Sequence, residues 1–124
     1  MKDIKFDPNG ERLSVSFVFE GLIVASYSFT LWEAESNHRL MYEQGNNQNS
    51  DDDKYDLPMP VSSNNGRLIQ LRTDFVGLDP ANSKDYSITA QVFQGGIDLG
   101  NESENGSITG KTQESLIYIL LKST

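Results

Sequence analysis

The sequence predicts an all-β fold, a single antiparallel two-sheet β-sandwich of about seven or eight strands. Three observations carry this. Apolar and polar residues alternate at period two through most of the chain. Helical spacing is nowhere sustained over the roughly ten residues a helix needs. Gly, Pro and Asn-Gly punctuate the apolar runs where strands have to turn.

The elements follow in order. The start, Met1-Lys2-Asp3-Ile4-Lys5-Phe6-Asp7, alternates charge with apolar residues. From Arg12 to Glu20, Leu13, Val15, Phe17 and Phe19 share one face of a strand, with Ser14, Ser16 and Val18 on the other. Gly21 breaks the run. Ile23, Ala25, Tyr27, Phe29 and Leu31 mark the inward face of a long second strand, and Val24, Ser26, Ser28, Thr30 and Trp32 its outward face. The polar turn from Glu33 to Arg39 leads into Leu40-Met41-Tyr42. Residues 45–65 are rich in Asn, Asp, Ser and Pro and read as a long surface loop. Within it Leu57, Met59 and Val61 alternate with Pro58 and Pro60, a pattern suited to an edge with few ladder bonds. Ile69, Leu71 and Phe75 define a strand from Arg67 to Phe75. Tyr86, Ile88, Ala90 and Val92 define another, to Gln94, which turns at Gly95-Gly96 into Ile97-Asp98-Leu99. The last strand, Leu116 to Leu121, is apolar on both faces and calls for cover on both sides. Asn9-Gly10, Asn65-Gly66 and Asn105-Gly106 are expected as turns between strands.

Gly77-Leu78-Asp79-Pro80, followed by Tyr86-Ser87-Ile88-Thr89-Ala90-Gln91-Val92, resembles the E-to-F corner of immunoglobulin-like and fibronectin type III-like sandwiches. The resemblance implies an immunoglobulin-like sandwich with Asp3 to Asp7 as strand A and Leu13 to Gln94 as strands B, C, C′, E and F. It gives Tyr86 a buried ring and a hydroxyl bonded back to the corner's backbone. It also makes strands C, F and G neighbours. Two departures stand out: the Leu-to-Tyr spacing is longer than the fibronectin pattern, and Trp32 falls on the face opposite Tyr27, Phe29 and Leu31. A β-bulge in the long strand would swing Trp32 inward. The fold transfers no function.

At 124 residues the chain has the size of one domain, residues 1–124, with room for a core without metal or disulfide. Its hydrophobic fraction is only 36%, but those residues are grouped into short runs, so the chain is expected to fold. A net charge of -8, a pI near 4.4 and the lack of any Lys/Arg run disfavour nucleic acid and anionic membrane surfaces as partners. The acidity reads as solubility. Without cysteine there is no disulfide, thiolate nucleophile or Cys-type zinc site. The first residues lack the roughly 7–15-residue apolar core of a signal peptide, and no stretch is long enough to insert in a membrane. A cytoplasmic location is the default, or a secreted one if a leader has been removed.

No residue set points to catalysis, and no cofactor is expected. His38, the single histidine, lies in the polar turn Ser36-Asn37-His38-Arg39, and no triad or framed carboxylate pair accompanies it. Asp51, Asp53 and Asp56 are weak candidate Ca²⁺ ligands. They lack the Gly and terminal Glu of an EF-hand loop, and Lys54 interrupts them, so a solvated loop is expected. Asn101-Glu102-Ser103 and Asn105-Gly106-Ser107 match the glycosylation pattern, which matters only in a secreted chain. The more informative feature is apolar residues on faces assigned to solvent: Val24, Trp32 and Phe93, joined by Tyr118 of the last strand. They point to a non-catalytic interaction or assembly domain that binds a protein partner or itself through an outer sheet face. Two alternatives are a carbohydrate-binding module that stacks sugar on Trp32 and Tyr42, and a Ca²⁺-binding C2-like domain.

Overall fold

The computed structural model describes residues 1–48 and 53–124. Nine strands run through the described residues: β1 (Lys2–Phe6), β2 (Leu13–Glu20), β3 (Ile23–Trp32), β4 (Arg39–Asn46), β5 (Lys54–Asp56), β6 (Leu68–Gly77), β7 (Asp85–Gln94), β8 (Ile97–Ser107) and β9 (Gln113–Ser123). They form a two-sheet sandwich. One sheet has the order β1-β9-β6-β3-β4 and the other β5-β2-β7-β8. Pairing is antiparallel except between β1 and β9, which run parallel with Lys2 beside Ile119 and Phe6 beside Ser123. Among the described residues no helix is long and apolar enough to cross a membrane.

Period-two alternation builds the core. Leu13, Val15 and Phe17 of β2 and the inward residues of β3 are buried, with Ile69, Leu71, Phe75, Ile88, Val92, Ile117, Ile119 and Leu121. The Phe17 ring meets those of Tyr27 and Phe29 edge-on at centroid distances of 5.4 Å. Each such pair adds about 0.5–1.5 kcal/mol beyond the area it buries.

The polar stretch 45–65 contains more structure than its composition announces. β5 is a three-residue edge strand with Tyr55 opposite Val15, and Val61–Asn64 form one 3₁₀ turn. Leu57 and Val61 are buried and Met59 is exposed. β8 is also longer than Ile97-Asp98-Leu99. Asn105-Gly106 lies inside it instead of in a turn, with Gly106 beside Tyr86. An added Cβ on Gly106 would stand 3.0 Å from that ring. An edge strand needs no run of apolar residues, so Asn-Glu-Ser-Glu-Asn-Gly-Ser carries no strand signal.

The strand order corrects one expectation. β7, which begins at Tyr86's neighbour Asp85, does not lie beside β3. It pairs with β2 along its length, from Leu13 opposite Gln94 to Glu20 opposite Ser87. β6 takes the place between β3 and β9. A corner pattern specifies that the chain changes sheet, which it does between β6 and β7. It does not specify the partner on arrival. Tyr86 keeps half of its expected role: its ring is buried 4.5 Å from that of Phe75. Its hydroxyl, however, donates to Glu104 Oε1 on β8 at 3.0 Å and not to the corner backbone. Burial first, and then that bond, raises the Tyr86 phenol above its ordinary value. Trp32 stays outward, because the β3–β6 register is unbroken through Trp32 opposite Leu68 and the irregularity falls only in the pairing with β4.

Candidate functional site

The outer face of the five-stranded sheet is assembled by register. Residues directly opposite in adjacent antiparallel strands point the same way, so Trp32, Leu68 and Leu120 form one cross-strand row. The next row holds Thr30, Gln70 and Tyr118, and the one after it Ser28, Arg72 and Leu116. Leu116 is 42% exposed. The result is an apolar patch made by the Trp32–Leu68–Leu120 row and continued along β9 by Tyr118 and Leu116, flanked on β3 and β6 by the polar Thr30, Gln70, Ser28 and Arg72.

Trp32 is held at the end of this patch by two contacts. Its Nε1 donates to Gln70 Oε1 at 2.9 Å. The Arg39 guanidinium lies 5.9 Å from the indole centroid and 4.5 Å from that of Tyr42. With its N–H satisfied, the indole offers a partner only an apolar face. Beside it opens a groove of about 810 Å³ lined by Trp32, Leu68, Leu120, Ala34, Asn65 and Lys122, among others. Two smaller hollows continue along the same face. The middle one is polar, with Ser26, Ser28, Gln44, Arg72 and Asp74. The far one includes Val24 and Val76.

The groove rim is braced by a buried arginine. Arg67 donates from Nε and Nη2 to the two carboxylate oxygens of Glu33, both at 3.1 Å, and from Nη1 to Asn64 Oδ1 and Ser63 Oγ. The turn after β3 is thereby clamped to the segment before β6. Gly66, at φ +82°, lets the two approach, since an added Cβ would stand 3.0 Å from that of Ala34. The Arg67 bonds foremost, and then the Ala34 N–H, hold the Glu33 carboxyl below its ordinary value. A carboxyl lowered on folding stabilises above its unfolded pKa of about 4.3 and loses that contribution as pH falls through the lower folded value. Melting scans of wild type and Glu33→Gln between pH ~7 and ~2 should therefore converge as pH falls from the unfolded value through the lower folded one; a constant gap would mean that the pair does not titrate with folding.

No family model, curated protein or solved structure matches this chain. The site therefore rests on its own residues.

Of the four residues expected to meet a partner, Trp32 and Tyr118 come together, linked through Gln70. Val24 lies on the same face but eight positions down β3, roughly 26 Å away. Phe93 lies on the outer side of the other sheet, opposite Ser14, with Lys54 Nζ 5.8 Å from its ring. It does not join the patch, because β7 pairs with β2 and not with β3. The residues that complete the patch, Leu68, Leu116 and Leu120, are apolar residues out of phase with the inward alternation. That phase error was the available signal.

Among the described residues no group of acidic side chains is placed to hold a metal ion. Asp53 Oδ1 accepts the Tyr27 hydroxyl at 2.7 Å, and its backbone carbonyl accepts the Phe17 N–H. Asp56 stands opposite Ser14 on β5, and Asp51 lies outside the described residues. Burial, and then the bonds with Tyr55 and Asp53, hold the Tyr27 phenol far above its ordinary range. These bonds tie β3 to β5 and to the residue that precedes it. His38 sits in its turn, its backbone N–H donating to Ser36 Oγ.

Proposed function

We propose that this is a non-catalytic interaction domain that binds protein through the outer face of its five-stranded sheet. The observation that carries the reading is the Trp32–Leu68–Leu120 row with Tyr118 and Leu116 beside it. An apolar patch anchored at one end by a fixed aromatic, with a charged rim, has the anatomy of a protein interface. The floor beside the indole is aliphatic, which suits a protein side chain better than a sugar ring. A second reading, carbohydrate binding, draws on Tyr42, 44% exposed beside the polar hollow of Gln44, Arg72 and Asp74. The two-layer architecture supports placing the domain among immunoglobulin-like sandwiches in the broad sense, with the places of β6 and β7 as its own variation.

Leu68→Ser and Tyr118→Ser should each weaken protein binding by tenfold or more, as expected of central interface residues. Phe93→Ser, on the opposite sheet, should leave it within twofold. Binding isotherms that are equal for all three variants would remove the reading. Saturable binding of an oligosaccharide that Tyr42→Ser abolishes would favour the second one.

A further inference from the structure

The charge of this molecule is segregated between its layers. The five-stranded sheet, the turn after β3 and Arg67 hold six bases, Lys2, Lys5, Arg39, Arg67, Arg72 and Lys122. They also hold six acids, Asp3, Glu33, Glu35, Glu43, Asp74 and Glu114. That layer is neutral. The chain has ten bases and eighteen acids, so its entire net charge of -8 belongs to the other sheet and the loops.

We infer that the outer face of the five-stranded sheet docks against the same face of a second copy of this chain. The inference rests on the protein-binding reading of that face and names its partner. Two acidic molecules ordinarily repel, but face-to-face docking here brings neutral surfaces together and leaves the charged sheets on the outside. The face is also a mosaic of both signs, with Arg72 between Asp74 and Glu114 at 3.9 and 2.9 Å, and Lys122 3.0 Å from Asp3. A two-fold contact requires one surface to complement itself. This one carries both an exposed apolar side chain, Leu116, and a hollow, the groove over Trp32, Leu68 and Leu120. Its size is sufficient. Its strands, of 5, 11, 10, 10 and 8 residues, cover about 700 Å² at roughly 3.3 Å per residue and 4.8 Å per strand, close to the ~800 Å² each partner contributes to a standard interface.

The test is sedimentation equilibrium of the full chain from about 1 to 200 μM. Wild type should populate a species of twice 13.8 kDa. Leu68→Glu and Leu120→Glu should be monomeric throughout, with far-UV circular dichroism and Tm confirming that they fold. Phe93→Glu should dimerise within threefold of wild type, and raising salt from 50 to 500 mM should change the dimer constant by less than threefold. A monomer at every concentration, a dimer that persists in folded Leu68→Glu, or one lost in Phe93→Glu would each overturn the inference. If the chain is monomeric while Leu68→Ser still loses a protein ligand, the second-copy assignment fails and the binding face stands. If Leu68→Ser loses nothing, both fail.

Discussion

Phe29→Ala should lower the unfolding free energy by about 3–5 kcal/mol, against the roughly 5–15 kcal/mol that holds a typical domain together. Phe29 sits on the central part of β3 with no exposed surface. It touches rings from the opposite sheet, Phe17 at 5.4 Å and Tyr55 at 5.5 Å. Truncation removes contacts that bridge the two layers, and the neighbouring rings are themselves held by hydrogen bonds and packing, so the cavity closes poorly. Urea titration measures the loss. A value under about 1.5 kcal/mol would show that the layers relax into the space and that this cluster does not hold them.

The second large effect is expected at a turn. Gly21 joins β2 to β3 at φ +105°, and an added Cβ would stand 2.6 Å from the Asp85 carbonyl oxygen. That oxygen belongs to the start of β7, which is laddered to β2 at Glu20 and Ser87, so the clash cannot be relieved by moving a side-chain tip. Gly96, at φ +82° with nothing within 4 Å of an added Cβ, provides the comparison. Gly96→Ala should cost only the conformational term, about 1–2 kcal/mol, and Gly21→Ala more than about 3 kcal/mol. Equal losses in chemical denaturation would mean that the backbone at Asp85 yields.

The strands were readable where one face is buried and the other is not. β2, β3, β6 and β7 were each visible because Leu13 to Phe17, Ile23 to Leu31, Ile69 to Phe75 and Tyr86 to Val92 alternate with few exceptions, Val24 and Thr73 among them. β8 was hidden, since an edge strand of Asn, Glu, Ser and Gly satisfies its ladder with β7 without announcing a buried face. β5 was hidden by the Asp and Asn around it. Strand order was beyond local pattern, because the corner at Gly77 to Tyr86 reports a change of layer and nothing about which strand waits there. The same gap divided the candidate site. Trp32 and Tyr118 were found from their parity, but their union depended on β9 lying next to β6, and Phe93 was misplaced for want of that order. Leu68 was missed because a strand that starts with one outward leucine looks like an ordinary boundary.

The position of β9 bears on how the molecule is made. It lies inside its sheet, between β1 and β6, although it is the last strand in chain order. Ile4 must wait for Leu121 as its partner, and pairings of such long sequence separation form slowly. Leu116, Tyr118 and Leu120, most of the apolar face, arrive on the same strand. A folding intermediate without β9 in place thus presents unpaired edges on β1 and β6 but not the assembled surface. Recognition through that surface would be available only to molecules in which β9 has docked between β1 and β6.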